Sequence, residues 1–260
     1  MKASIMKSKL KTVSKIIIPL LFWLFVWEIL SLIVAYFIGT DHFLPSVPTV
    51  FKALVSLFQK WVFYKSVLLT LLRVIFGLVL GIVLGVVLAT LSHKFEYARI
   101  IISPFMSVVK ATPVATFIIV LWVLFTKFFS AGALAVFIAV LMVMPIIWQN
   151  TLDAYNSIDI RLSEVCDVFE FGFKKRVKLL VFPAVTKFIF PAVITATGLA
   201  WKSEIAAEII AYTKYSIGQK INDAKEGALY DEVFALTLVI IVMSLLLEFG
   251  VKKLLSRYTK

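Results

Sequence analysis

Apolar residues run through this chain in long unbroken stretches, and polar residues gather in the gaps between them. Six stretches approach or exceed the ~20 residues that a helix needs to cross a bilayer. They lie at about 16–38, 66–91, 100–125, 131–150, 184–212 and 232–251. The pattern predicts an all-α, polytopic membrane protein with about six transmembrane helices within residues 16–251. The first stretch is too long for a signal-peptide core and no small-residue cleavage site follows it, so it reads as a span.

The interruptions carry information too. Leu44-Pro45-Ser46-Val47-Pro48 cannot sit inside a helix, but Pro48 can open one whose apolar face is Val50, Leu54, Leu57 and Phe58, lying along the outer membrane surface. Gly77, Gly81 and Gly85 recur every four residues and form a bare stripe for another helix, with packing inside one subunit favoured over a dimer contact. Pro104 and Pro113 should kink or break the first half of the third span, and Pro145 and Pro191 fall in the fourth and fifth. Residues 213–231 read as a polar loop.

Composition supports the membrane class: 62% of residues are hydrophobic and 16% charged, against about 45–50% and 25% in soluble domains. The net charge of +12 suggests nucleic acid until its distribution is followed. Segments 2–15, 94–99, 161–178 and 252–260 hold sixteen Lys and Arg together, against seven in the alternate loops. That bias places both termini, with their basic tails at 1–15 and 252–260, in the cytoplasm. Anionic lipid then accounts for the charge without nucleic acid.

Chemistry for an enzyme is missing. No GxxxxGK[ST] run offers a phosphate cradle and no GxSxG elbow offers a nucleophile, so no catalytic residue is assigned. His42 and His93 fall on opposite sides of the membrane in this topology. With the single Cys166 they make no plausible zinc site, and no cofactor is expected.

The connection between the fourth and fifth spans, about 153–183, is the longest cytoplasmic one. Its core, Glu164–Pro183, carries Lys174, Lys175, Arg176 and Lys178. Moving such cations into hydrocarbon would cost several kcal/mol apiece. The segment has room for a short helix, a turn and a second helix. Tied to a span at each end, it suits a lever on which another protein pushes.

This segment resembles the cytoplasmic EAA loop of binding-protein-dependent permeases of ATP-binding-cassette importers. Glu164-Val165-Cys166 stands for Glu-Ala-Ala, and Phe182-Pro183 closes the motif at the usual distance. Glu170 occupies the usual glycine position and Gly172 follows two residues later, so the bend falls at one or the other. Leu44-Pro45-Ser46, Arg73 ahead of the glycine stripe, Ala111-Thr112-Pro113, Trp201 with Ala206-Ala207-Glu208, and Ile217-Gly218 before Asn222-Asp223-Ala224 are similar to the nitrate/sulfonate/taurine branch. Trp122–Lys127 departs from that branch's usual end to the third span.

The resemblance implies a bacterial inner-membrane subunit, working as a homodimer with an ATP-binding subunit and an extracytoplasmic solute-binding protein. ATP would be bound by the partner. The region Glu164–Phe173 would dock in a groove of that partner, Glu164 capping backbone N–H groups or pairing with a cation, and Phe169, Phe171 and Phe173 making apolar contacts. The solute would be small, with a nitrate-, sulfonate- or taurine-like anion as the branch's indication.

Charges inside the spans leave alternatives. Glu204 and Glu208 share a helical face in the outer half of the fifth span, for structural placement against Lys202 or another helix, or for lining the path. Arg73 reads as snorkelling to the interface. Lys110 reads either as an interfacial anchor or as a sensor of an anionic solute. The rival function is a self-sufficient secondary transporter coupled to protons through Glu204 and Glu208.

Overall fold

Helices make up every regular element among the described residues of the computed structural model, which are 2–39 and 43–256. The side chains of residues 1–14 and of Ile16 lie outside the description, so the expectations for the lysines of the N-terminal flank, for His42, and for Arg257 and Lys260 fall outside the described residues.

In chain order the elements are α1 (Lys2–Ile38), α2 (Val47–Gln59), α3 (Trp61–Lys94), α4 (Glu96–Ala111), α5 (Val114–Phe125) and α6 (Ala131–Asn156). Then come α7 (Ile160–Val168), α8 (Phe173–Arg176), a wide-turn π segment (Val177–Val181), α9 (Phe182–Ile210), α10 (Ile217–Glu226) and α11 (Tyr230–Leu255). Five of these helices are long and apolar enough to cross a membrane, six if α4 and α5 count as one span.

The third apolar run breaks as its prolines lead one to expect, into two helices bent by 111° where α4 meets α5, while two other expectations need correction. Pro113 causes the break by forcing Thr112 into the extended region, φ −76° and ψ 130°. Pro104 stays inside α4 without ending it. The polar stretch 213–231 holds α10, whose Ile217 and Ala224 are buried seven positions apart on one face. Finally, the buried face of α2 is Val50, Ala53 and Leu57, with Phe58 46% exposed. Phe58 lies about 100° around the helix from Leu57 and so leaves that face.

The chain divides into two compact units, Met1–Phe63 with Ile221–Val239, and Tyr64–Lys220 with Ile240–Lys260. In the first, α1 fixes the start of α2 through backbone groups. Glu28 Oε2 accepts the Val47 N–H at 2.8 Å, Ser31 Oγ donates to Leu44 O at 2.7 Å, and Trp27 Nε1 donates to Pro45 O at 3.1 Å. The Glu28 carboxylate thus satisfies an orphan donor and complements the positive end of α2. Lys60 pairs with Glu232 at 3.0 Å in the same unit.

In the second unit α6 is the buried centre. Ile138, Ala139, Val143 and Ile147 are fully covered, and Ser130 caps the helix by accepting the Ala133 N–H. Its Met142, Met144 and Trp148 join Met106 and Val109 of α4, Ile118 of α5 and Ala207 of α9 in one apolar cluster. The glycines of α3 lie directly on α6: a Cβ at Gly77, Gly81 or Gly85 would stand 2.8 Å from the Cβ of Ala139, Val143 or Ile147 respectively. Only a bare backbone fits there.

Candidate functional site

The segment between α6 and α9 is a helical hairpin. Asp159 starts α7 by accepting the Arg161 N–H at 2.9 Å. The helix ends at Phe169, and Glu170 follows in the left-handed region with φ 47°. The Phe171 N–H then closes the turn on Cys166 O at 2.8 Å. Gly172 keeps an ordinary φ of −57° and begins α8. The bend is therefore at Glu170, a non-glycine residue in a conformation that strains it by about 1–2 kcal/mol.

Side chains hold the two arms together. Arg176 donates to Asp167 Oδ1 at 2.6 Å and to Ser163 Oγ. Lys175 Nζ sits 3.8 Å from the centre of the Phe171 ring, which itself tilts against Phe169. Cys166 is a buried free thiol facing inward. Beyond α8, the π segment carries the chain into α9 without a break, so the run from Phe173 to Ile210 is one continuous rod.

The outer surface of this hairpin is apolar although its flanks are charged. Val168, Phe169 and Phe173 are 79%, 68% and 81% exposed, and Val165 is also uncovered. Glu164 and Pro183 are exposed as well. Of the residues singled out in the sequence, Val165 and Phe169 are uncovered, Phe173 is uncovered at the edge of a cavity behind the hairpin, and Cys166 belongs to the interior. Arg176, Asp167 and Ser163, which lock the hairpin, were not singled out as site residues. Their spacing of nine and thirteen residues matches no helical period.

A second constellation lies in the other half of α9. Glu208 is completely buried and takes three donors. Thr70 Oγ1 reaches it at 2.8 Å, Arg73 Nη1 at 2.9 Å and the Gly218 N–H at 3.2 Å, with Thr70 also 3.0 Å from its second oxygen. Thr70 in turn accepts the Ile217 N–H at 3.1 Å. Arg73 therefore does not snorkel: its side chain is 19% exposed and is turned inward onto Glu208 and the Lys214 carbonyl. A buried carboxylate demands a cation more strongly than an interface does. A Cβ at Gly218 would lie 2.5 Å from Glu208 Cβ, so only glycine lets α10 begin this close.

One turn inward, Glu204 is equally buried, yet neither of its oxygens has a hydrogen-bond partner among the described residues. Both acids are thus covered by protein, and Lys202 is exposed. Lys110 is exposed in the last turn of α4, beside the break.

A family model described as the binding-protein-dependent transport system inner membrane component matches residues 81–260. The chain belongs to that family. It is accordingly a multi-pass permease subunit of the ATP-binding-cassette importer type, in which ATP is hydrolysed by a separate subunit. A curated relative from Bacillus subtilis (strain 168), named "Putative aliphatic sulfonates transport permease protein SsuC", is 25% identical over 114 residues. Those residues are 44% of this permease, and they span only 41% of the relative. A solved structure titled as an amino acid ABC transporter with histidines superposes with a TM-score of 0.61 at 15% identity, covering 76% of this chain and 92% of that one. That likeness is one of fold.

Proposed function

We propose that this permease carries a small solute across the membrane as half of a symmetric pair, receives it from an extracytoplasmic binding protein, and is driven through the hairpin at residues 160–176 by a docked ATP-binding subunit. The observation that carries this reading is the uncovered apolar side chains of Val165, Val168 and Phe169 on a hairpin locked by Arg176 and continuous with α9. Large exposed apolar side chains on an otherwise charged loop mark a protein contact. A stiff rod leading from that contact to Ile210 can turn a push at the hairpin into a tilt of α9, the rigid-body movement by which bundles switch. Glu164, exposed on α7, is placed to meet a cation of the partner.

A sulfonate-like anion is the solute class favoured by the partial match to the Bacillus subtilis relative. The basic bias of the connections supports a cytoplasmic hairpin and cytoplasmic termini. In this arrangement Lys110 beside the α4–α5 break is the exposed cation best placed to meet an anion in transit.

The test is co-purification with the ATP-binding subunit and ATP-driven uptake, for wild type, Glu164→Lys, Val168→Asp and Phe169→Asp. The apolar-to-acid variants should lose most of both while the chain still inserts and folds. Undiminished recovery and uptake in all of them rejects the docking role. The rival reading, a proton-coupled carrier, has the unpartnered Glu204 in its favour. Uptake driven by a pH gradient in vesicles holding only this chain would establish it instead.

A further inference from the structure

A cavity of about 720 Å³ opens between the end of α3, the end of α6 and the inner side of the hairpin. Lys94, His93 and Arg176 line it; Arg176 is already paired with Asp167, which leaves Lys94 as the cation without a carboxylate partner among the described residues. Thr90, Tyr155 and Ser163 add hydroxyls, with Thr90 and Tyr155 3.0 Å apart and the His93 ring stacked on Tyr155 at 4.6 Å. The rest of the lining is apolar: Ile158, Ile160, Phe173, Val177, Leu180 and Val181. The cavity thus offers cations and hydroxyls together with aliphatic surface, and it is far larger than a water site.

Two features say what fits. First, Lys94 is the final residue of a long apolar helix, which places its ammonium at the level of lipid headgroups. Second, three of the five aliphatic residues belong to the π segment Val177–Val181, an irregular turn of the kind that recurs at functional sites. We infer that this cavity holds an anionic phospholipid, its phosphate on Lys94 beside Arg176 and the start of an acyl chain against the π segment. A free phosphate would use the cations and hydroxyls but leave the aliphatic surface bare. Because Arg176 also locks the hairpin, an occupant here would set the resting position of the segment proposed to meet the ATPase. The lipid site itself does not depend on that proposal.

The purified full chain, in a neutral detergent, is titrated with phosphatidylglycerol, phosphatidylcholine or inorganic phosphate, and bound lipid is counted by native mass spectrometry alongside thermal unfolding. Phosphatidylglycerol should be retained selectively and raise the unfolding temperature. Lys94→Gln should weaken that retention about fivefold, the worth of one cation near an anionic lipid. Leu180→Trp, which fills the aliphatic part and keeps every charge, should weaken it as well. Lys174→Gln, an exposed lysine outside the cavity, should leave it unchanged. Equal loss in Lys94→Gln and Lys174→Gln would reduce the effect to general surface charge and overturn the site. Stabilisation by inorganic phosphate with none by phosphatidylglycerol would overturn the lipid as its occupant. Failure of ATPase docking with lipid retention intact would count against the hairpin's proposed partner and not against this site.

Discussion

Arg73 and Glu208 stand 135 positions apart in the chain and meet at 2.9 Å, the carboxylate wholly buried and the arginine partly so. Glu208 is also the acceptor for Thr70 and for the first turn of α10, so one side chain ties α3, α9 and α10 together. Removing one member of such a pair leaves a charge without compensation, which costs about 3–5 kcal/mol. Arg73→Met should therefore lower the thermal stability of the purified chain severely. Adding Glu208→Gln should recover most of the loss, because the amide oxygen still accepts from Thr70 and Gly218 but carries no charge. If the double variant is as unstable as Arg73→Met alone, the ion pair is not what holds this end of the bundle.

The glycine stripe makes a sharper prediction. Gly81→Ala would bring a Cβ to 2.8 Å of Val143 Cβ and 3.1 Å of the Val140 carbonyl, and neither backbone-anchored neighbour can swing away. Overpacking of this kind costs about 1–3 kcal/mol. Gly250→Ala is the control, since nothing lies within 4 Å of its added methyl. Unfolding midpoints should fall for the first and stay level for the second. Equal midpoints would mean that α3 and α6 do not approach as closely as described.

Much of this architecture was legible in periodicity and length. The apolar runs marked the spans, and Pro113 marked the break because the residue before a proline resists the helical region. What escaped were relations between distant residues. Arg73 looked like an interfacial anchor because no pattern within α3 points to Glu208. The helix at 217–226 was hidden by its polar composition, since its buried residues are Ile217, Gly218, Asn222 and Ala224, and only Ile217 and Ala224 of them are apolar side chains. In the hairpin, the motif located the segment, but not Arg176 as its clasp or the choice of Glu170 over Gly172 for the bend.

That choice is itself testable. With φ 47°, Glu170 sits where a Cβ is unwelcome, and glycine would relieve roughly 1 kcal/mol of strain, partly offset by its freer unfolded chain. Glu170→Gly should leave α7 at least as well protected in amide hydrogen exchange as wild type. Glu170→Val, whose branched Cβ tolerates that region least, should loosen it. Gly172→Ala should change nothing, because its φ is −57° and its surroundings are open. Loosening by Gly172→Ala without any effect at Glu170 would place the bend at the glycine.

Glu204 and Glu208 are one turn apart on α9, both fully buried, and should nevertheless respond in opposite ways to the same change. Glu208→Met strips Arg73, Thr70 and the Gly218 N–H of their acceptor and should destabilise by several kcal/mol. Glu204→Met removes a carboxyl whose two oxygens find no partner among the described residues, replacing a poorly accommodated polar group with an apolar one of similar length. An unsatisfied buried polar group costs about 1–3 kcal/mol, so this variant should unfold at an equal or higher temperature than wild type. Transport then separates the two readings of the acid. An importer powered by its ATPase should keep its uptake in Glu204→Met, since no step needs that proton. A carrier driven by protons would lose uptake altogether while the protein remained folded, and that result would return Glu204 to the centre of the mechanism.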